Sequence, residues 1–324
     1  MKVAIYGAGA IGGLIGGHLA RTGQDVTLIA RGPHLAALKE KGLHIHGLSG
    51  DFTVHPKATE HAIEAGPQDF VIVALKANAV PGIADKLAPL LGPNTGVVMA
   101  VNGMPWWYFY GAEGVLKDAR IPAVDPEGKL WDLVGPQRVI GCVVYPAAEV
   151  VAPGEIKHVE NDRFSLGEAS GEKTERVQAL SAAFFAAGFK APVKTDIRTE
   201  IWVKLWGNVA FNPLSALTGG TLARICSDPD TRAVAKAIMG EAEAIANALG
   251  VKMPIDVEKR INGAAGVGEH KTSMLQDIER GRPIELEAIV GAVRDLGRLV
   301  HVPTPMINTI YALVKQKAGL LELL

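Results

Sequence analysis

The sequence predicts an α/β fold in two parts, a doubly wound N-terminal domain over 1–195 and an all-helical C-terminal domain over 196–324. Three observations carry this expectation. Short apolar runs alternate with helix-like segments through the first half, which implies a mostly parallel sheet with helices on both faces. A glycine-rich turn, GAGAIG at 7–12, directly follows the first apolar run. Beyond about residue 195 the apolar spacing changes to threes and fours, the period of a helix.

Lys2 to Tyr6 is the first strand-like run, Ala10 to Thr22 a helix rich in small residues, and Asp25 to Ala30 a second strand. Asp69 to Leu75 and Gly96 to Ala100 are almost continuously apolar, as strands buried on both faces are. Helix-like segments at about 34–41 and 79–91 separate these runs. From about 139 to 167 short runs with Pro-Gly turn signals suggest extra strands or hairpins at one end of the sheet. Farther on, Val234, Ile238, Ile245 and Leu249 share one helix face, and Leu286, Ile289, Val293, Leu296 and Val300 share another. Gly250 stops the first of these helices, and Pro303 and Pro305 stop the second.

Composition excludes several function classes. Lys and Arg number 33 against 34 Asp and Glu, a net charge of −1, so bulk charge gives no nucleic-acid partner. The chain is 48% hydrophobic with a mean hydropathy of +0.19, yet no run approaches the roughly 20 apolar residues of a membrane span. Cys142 and Cys226 are far apart, which argues against a disulfide framework or a cysteine zinc site and fits a reducing, cytoplasmic setting. His44 and His46 alternate as strand residues do and read as a solvated face; no metal is expected.

In GAGAIG, Gly7 permits a tight turn, Gly9 lets a pyrophosphate approach the backbone, and Gly12 permits close helix packing. The N–H groups of Ala8, Ala10 and Ile11 lie in the same turn, at the positive end of the helix. This is the context of a Rossmann-type dinucleotide site. At the end of the second strand, where an NAD enzyme places a carboxylate on the ribose, the chain reads Ile29-Ala30-Arg31-Gly32. Arg31 can pair with a 2′-phosphate, so the expected cofactor is NADPH.

Lys204, Asn208 and Asn212 recur every four residues in TEIWVKLWGNVAFNPL and share one helical stripe. Trp202, Leu205, Trp206 and Phe211 flank that stripe. Polar groups set among apolar ones should face water or a ligand, because burial without partners is costly. An ammonium there suits reduction of a ketone: it stabilises the developing alkoxide and then delivers a proton. Partial burial would lower its pKa toward the working pH.

Several motifs in order resemble the ketopantoate reductase (2-dehydropantoate 2-reductase) family: GAGAIG at 7–12, LKAN at 75–78, VNG at 101–103, PGEIKH at 153–158, WVKLWGNVAFNPLSALTG at 202–219 and SMLQDIERGRPIELEAIVG at 273–291. The resemblance implies a nucleotide-binding domain, a helical domain and a reaction in the cleft between them. It implies reduction of a 2-oxo acid, 2-dehydropantoate to pantoate, in pantothenate biosynthesis. It makes Lys204 the main catalytic residue and Glu285 the acidic residue that orients Lys204 or accepts a substrate hydroxyl. Asn208, Asn212 and Ser273 fall on substrate-side positions, Asn102 lies near nicotinamide and substrate, and Lys76 is on the cofactor side. For Glu285 the bland alternative is the N-terminal carboxylate of the last amphipathic helix, and for Ser273 a helix cap before MLQDI.

The chain departs from the family pattern after VNG, over about 105–136, where Trp106, Trp107, Tyr108, Phe109 and Tyr110 are consecutive. Such a block can wall a substrate pocket, cover the cleft as a lid, bury itself at a homodimer interface, or form the core of a plain insertion. It brings in a second expectation, a reductase of a bulkier keto acid on the same fold. A third, a non-catalytic NADP-binding regulator, is weakened by the retention of Lys204, Asn208 and Glu285 together.

Overall fold

The structure is a computed structural model and describes residues 1–48 and 50–324. Eleven strands are present among the described residues: β1 Lys2–Tyr6, β2 Asp25–Ile29, β3 Leu43–His46, β4 Phe52–Val54, β5 Lys57–Thr59, β6 Gln68–Val73, β7 Leu91–Met99, β8 Val139–Val144, β9 Ala147–Ala152, β10 Glu155–Glu160 and β11 Phe164–Glu168. The α-helices are α1 Ala10–Arg21, α2 Gly32–Lys41, α3 Ala84–Leu87, α4 Glu175–Ala186, α5 Ile197–Thr218, α6 Leu222–Ser227, α7 Pro229–Ala248, α8 Val257–Ala265, α9 Ser273–Glu279, α10 Ala292–Leu299 and α11 Pro305–Leu320. The chain forms two compact units. The first comprises Met1–Val101, Trp107–Ala119 and Gly128–Ile197; the second comprises Asn102–Trp106, Arg120–Glu127 and Arg198–Leu324.

In the first unit, seven strands form one sheet in the order β11-β8-β7-β6-β1-β2-β5. All neighbours run parallel except the edge strand β11, which pairs antiparallel with β8. Val3, Ile5, Val71, Ile72, Val97 and Val98 are fully buried in its centre, as double-sided burial requires.

The expectation of extra strands or hairpins at 139–167 is met in part: β8 and β11 form one end of the main sheet, and β9 and β10 pair as a hairpin. Only β8 and β11 join the main sheet; β9 and β10 form a separate four-stranded sheet with the early strands, in the order β4-β3-β10-β9. Helix α1 lies between the two sheets. A Cβ at Gly16 would meet Leu28 and Ile5 of the main sheet at 2.6 and 3.1 Å, while one at Gly13 or Gly17 would meet Ile156 or Ile45 of the small sheet at 2.9 Å. Only glycine lets the helix backbone approach both sheets so closely.

The helix expected at 79–91 is also absent as such. Pro81 and Pro89 break it into 3-10 turns around the single turn of α3, because proline lacks the N–H that a helix interior needs. The aromatic block is core. Trp107, Tyr108 and Phe109 are at most 2% exposed in the first unit, and Trp107 lies against Gly141.

The second unit is helical. Among its contacts α6 meets α7 and α8, and α7 meets α8, α10 and α11. Trp202, Trp206, Ile238, Ile245, Val293, Leu296 and Val314 are buried, and the Trp206 indole donates to the Met239 carbonyl across 2.8 Å. Pro303 and Pro305 follow the end of α10 at Leu299, as expected, and a further helix begins at Pro305. Pro305 occupies the first turn of α11, where its missing N–H costs nothing. Accordingly the helix beginning near Glu285 is not the last one.

Candidate active site

Three polar side chains from distant parts of the sequence meet in the second unit. Lys204, on α5, donates from Nζ to Asn102 Oδ1 across 2.6 Å. Asn102 in turn donates from Nδ2 to Glu285 Oε2 across a longer 3.4 Å. The two contacts fix the same orientation of the Asn102 amide: oxygen toward the ammonium, nitrogen toward the carboxylate.

Local sequence explains why Asn102 is there. Gly103 has φ +90, and a Cβ on it would lie 2.6 Å from the Ala288 carbonyl oxygen. The next residue, Met104, donates its N–H to that same carbonyl at 2.8 Å. The VNG turn is thus clamped to the π-helical segment Glu287–Gly291, which begins two residues after Glu285 and runs into α10. Such π segments concentrate at functional sites because they change the facing of the residues around them. Glu285 is 7% exposed, and its carbonyl accepts from the Ile289 N–H at 3.2 Å. It therefore stands at the entrance of a helical segment, as the bland reading had it, and also reaches Asn102.

The stripe on α5 is not solvent-facing. Lys204 and Asn208 are half-buried, Asn212 is buried, and Trp202, Leu205, Trp206 and Phe211 beside them are buried. Ser273 is exposed at the first position of α9, but the cap is Thr272, whose hydroxyl accepts from the Leu275 N–H. The capping role read for Ser273 thus belongs to its neighbour, which leaves the Ser273 side chain outside that cap.

In the first unit, the glycine turn, Arg31 and Lys76 follow the carboxyl ends of β1, β2 and β6, three adjacent strands. That edge is where open α/β sheets bind ligands. Gly7 has φ +97, and a Cβ on Gly12 would lie 2.1 Å from the Gly7 carbonyl oxygen, so both positions exclude larger residues. Gly9 differs: nothing lies within 4 Å of where its Cβ would be. It is the N-cap of α1, so open space adjoins the first-turn N–H groups that have no partner within the helix. Arg31 is exposed at the N-cap of α2, and Lys76 is half-buried at the start of the turn Ala77–Ala79. These residues fit a dinucleotide phosphate.

His34 was missed by the sequence reading. Its Nε2 lies 2.7 Å from the Ala8 carbonyl, and its Nδ1 accepts from the Gly154 N–H at 3.0 Å. With Nδ1 accepting, Nε2 carries the proton and donates to Ala8. Burial holds this imidazole below the ordinary value, against the opposing pull of the Ala8 bond. The neutral ring thereby ties α2 and the β9–β10 turn to the glycine turn. The sequence signal was weak: a histidine three residues after Arg31.

Comparisons with known proteins give the family. Residues 3–171 match the family described as Ketopantoate reductase PanE/ApbA, and residues 196–318 match its C-terminal counterpart. A 2-dehydropantoate 2-reductase of Mesorhizobium japonicum is 55% identical over 319 residues, covering 98% of each chain. The structure of a candidate ketopantoate reductase from Ralstonia solanacearum MolK2 superposes with TM-score 0.95 at 41% identity, covering 100% of this chain and 99% of the other. That of the 2-dehydropantoate 2-reductase from Geobacter metallireducens GS-15 gives 0.86 at 30%, covering 98% and 100%. With a Rossmann-type sheet, a helical second unit and this agreement along nearly its whole length, the chain belongs to the ketopantoate reductase family.

Proposed function

We propose that this chain reduces 2-dehydropantoate to pantoate with NADPH, residues 1–195 binding the cofactor and 196–324, with Asn102, binding substrate and supplying the proton. The observation that carries this reading is the hydrogen-bonded series Lys204–Asn102–Glu285. NADPH, when bound, supplies a hydride to the keto carbon. The protein's task is then to stabilise the negative charge gathering on the keto oxygen and to protonate it.

Lys204 does both. Its ammonium is aimed by the Asn102 carbonyl oxygen, and the buried Glu285 carboxylate keeps the Asn102 amide turned that way. As hydride forms the new C–H bond, the carbonyl π pair moves onto oxygen and takes a proton from Nζ. The neutral amine then regains a proton from solvent. Asn208 and Asn212, one and two helical turns beyond Lys204, and Ser273 offer neutral hydrogen bonds to the carboxylate and hydroxyl of the substrate. On the cofactor side, the first-turn N–H groups from Gly9 to Gly12 would hold the pyrophosphate and Gly9 would leave room for it, while Gly7 and Ala8, whose N–H groups both donate to the Ile29 carbonyl, would shape the turn; Arg31 would pair with the 2′-phosphate, and Lys76 would add positive charge.

The bulkier keto acid loses its support, since Trp107, Tyr108 and Phe109 are packed into the core of the first unit. Burial within one chain likewise leaves those rings unavailable to a homodimer, so any dimer uses another surface; light scattering decides that state. Cys142 and Cys226 are buried and not joined in a disulfide, which suits the cytoplasm, and among the described residues no helix is long and apolar enough to cross a membrane. Steady-state oxidation of NADPH and NADH with ketopantoate and a panel of larger 2-oxo acids tests the reading. Efficient turnover of ketopantoate with NADPH supports it; tight NADPH binding with turnover only of larger acids overturns it.

A further inference from the structure

The small sheet gathers at its surface four side chains of types that can ligate a metal, none of them assigned a part in the reductase reaction. His44 and His46 project from the same face of β3, two residues apart. Asp51, from the segment before β4, and these two histidines each offer a ligand atom, all within 4.8 Å of one another. His46 Nδ1 lies 3.2 Å from Asp51 Oδ2, close to the roughly 3.3 Å edge of a tetrahedron around zinc. On the other side of the ring, Nε2 lies 3.1 Å from Glu155 Oε2 on β10. His44 Nδ1 is bonded to Thr53 on β4 at 2.7 Å, which leaves its Nε2 for a ligand role.

We propose that His44, His46 and Asp51 form a binding site for a divalent transition cation, zinc above all, with Glu155 and Thr53 as its positioning residues. Strand spacing alone reads as a solvated face; what changes the reading is the placement of Asp51 and Glu155 on the two sides of one imidazole. Both His46 nitrogens face carboxylates, Asp51 at Nδ1 and Glu155 at Nε2. The cation replaces the Nδ1 proton, which leaves to solvent, and bridges Nδ1 to Asp51. The Nε2–H remains bonded to Glu155, the carboxylate–histidine–metal arrangement that fixes the tautomer of metal-bound histidines. Two nitrogens and one carboxylate oxygen suit zinc better than calcium or magnesium, and water completes the fourth position. Lys157, paired with His46 across β10, is exposed and is the further charged side chain in this register. The site joins β3 to the segment before β4, and so acts as a clip on the sheet that covers α1.

The test is calorimetric titration of EDTA-treated full-length protein with zinc chloride. The expected result is one ion per chain with a raised melting temperature, and at least tenfold weaker binding in both His46→Ala and Asp51→Asn. Glu155→Gln should weaken binding about 10- to 100-fold, as loss of such an outer partner does. NADPH-dependent turnover of each variant reports that it is folded. Absence of zinc binding in the parent, or the same affinity in folded His46→Ala and Asp51→Asn, overturns the proposal.

Discussion

Lys204 and Asn102 are 102 residues apart in sequence, yet the lysine ammonium donates to the asparagine oxygen across 2.6 Å. A hydrogen bond this short to a half-buried lysine fixes where its positive charge points. It also makes the lysine's direction depend on Gly103 and Ala288, which seat Asn102, as much as on α5.

Replacing Lys204 should separate chemistry from cofactor binding. Lys204→Ala is expected to lower kcat by about 10²- to 10⁴-fold, the usual contribution of a positioned acid, with NADPH affinity nearly unchanged. Steady-state kinetics beside a fluorescence titration of NADPH measures both; undiminished turnover removes Lys204 from the mechanism.

The middle member of the series should couple its neighbours. Asn102→Ala and Glu285→Gln each lower kcat, and the double variant should lose less than the product of the two, because both changes release the same lysine. Simple multiplication of the two losses would mean that Glu285 acts on the substrate without passing through Asn102.

Cofactor choice rests on Arg31. Arg31→Ala should raise the KM for NADPH about 10- to 100-fold, the worth of a charge-assisted bond to phosphate, and leave that for NADH nearly unchanged. An equal loss for both nucleotides removes the arginine from the 2′-phosphate.

Close packing around α1 gives a stability prediction. A Cβ at Gly13 would lie 2.9 Å from Ile156, so Gly13→Ala should cost about 1–3 kcal/mol. Trimming the opposing side chain with Ile156→Val should restore part of it. Urea midpoints of the three variants check this; a double variant no more stable than Gly13→Ala places the clash elsewhere.

Acid should loosen the first unit. Burial, above all, holds His18 and His34 below their ordinary value of 6.5. His18 donates from Nδ1 to Ala187, and its buried Nε2 has no acceptor for a second proton. Below about 6.5 the unfolded chain binds more protons than the folded one, so stability falls with pH through that window and levels once the folded rings are charged. His46, raised chiefly by its bond to Glu155, acts in the opposite direction, so the comparison is with His34→Gln. Urea midpoints between pH 7.5 and 5 should show a shallower acid slope in that variant; an unchanged slope excludes His34.

What the sequence disclosed divides by range. The runs that became β1, β2 and β6 are local apolar patterns, and the glycine turn is a local motif, so both were legible within a residue or two; β7 was legible from Gly96 but begins at Leu91. The stripe Lys204–Asn208–Asn212 was equally local. The small sheet was not: β10 pairs in parallel with β3, setting Glu155 beside His44, and no short-range pattern encodes such a partner. The same holds for Asn102 and Glu285, 183 positions apart. The role of the aromatic block stayed open because five adjacent rings look alike whether they face a ligand, a partner or a core. Pro305 follows one helix and opens another, and a proline that stops a helix does not by itself show that α11 comes after it.

Gly9 and Gly12 stand three residues apart in one turn, yet they separate two kinds of failure. An alanine at Gly12 would drive a methyl into a carbonyl oxygen, so it threatens the amount of protein a cell retains. An alanine at Gly9 meets no atom of the chain and costs the helix cap about 1 kcal/mol. Its methyl instead occupies, permanently and at full effective concentration, the space the proposed reading gives to the pyrophosphate. In a population of variants, abundance and turnover would fall together at Gly12 and part company at Gly9.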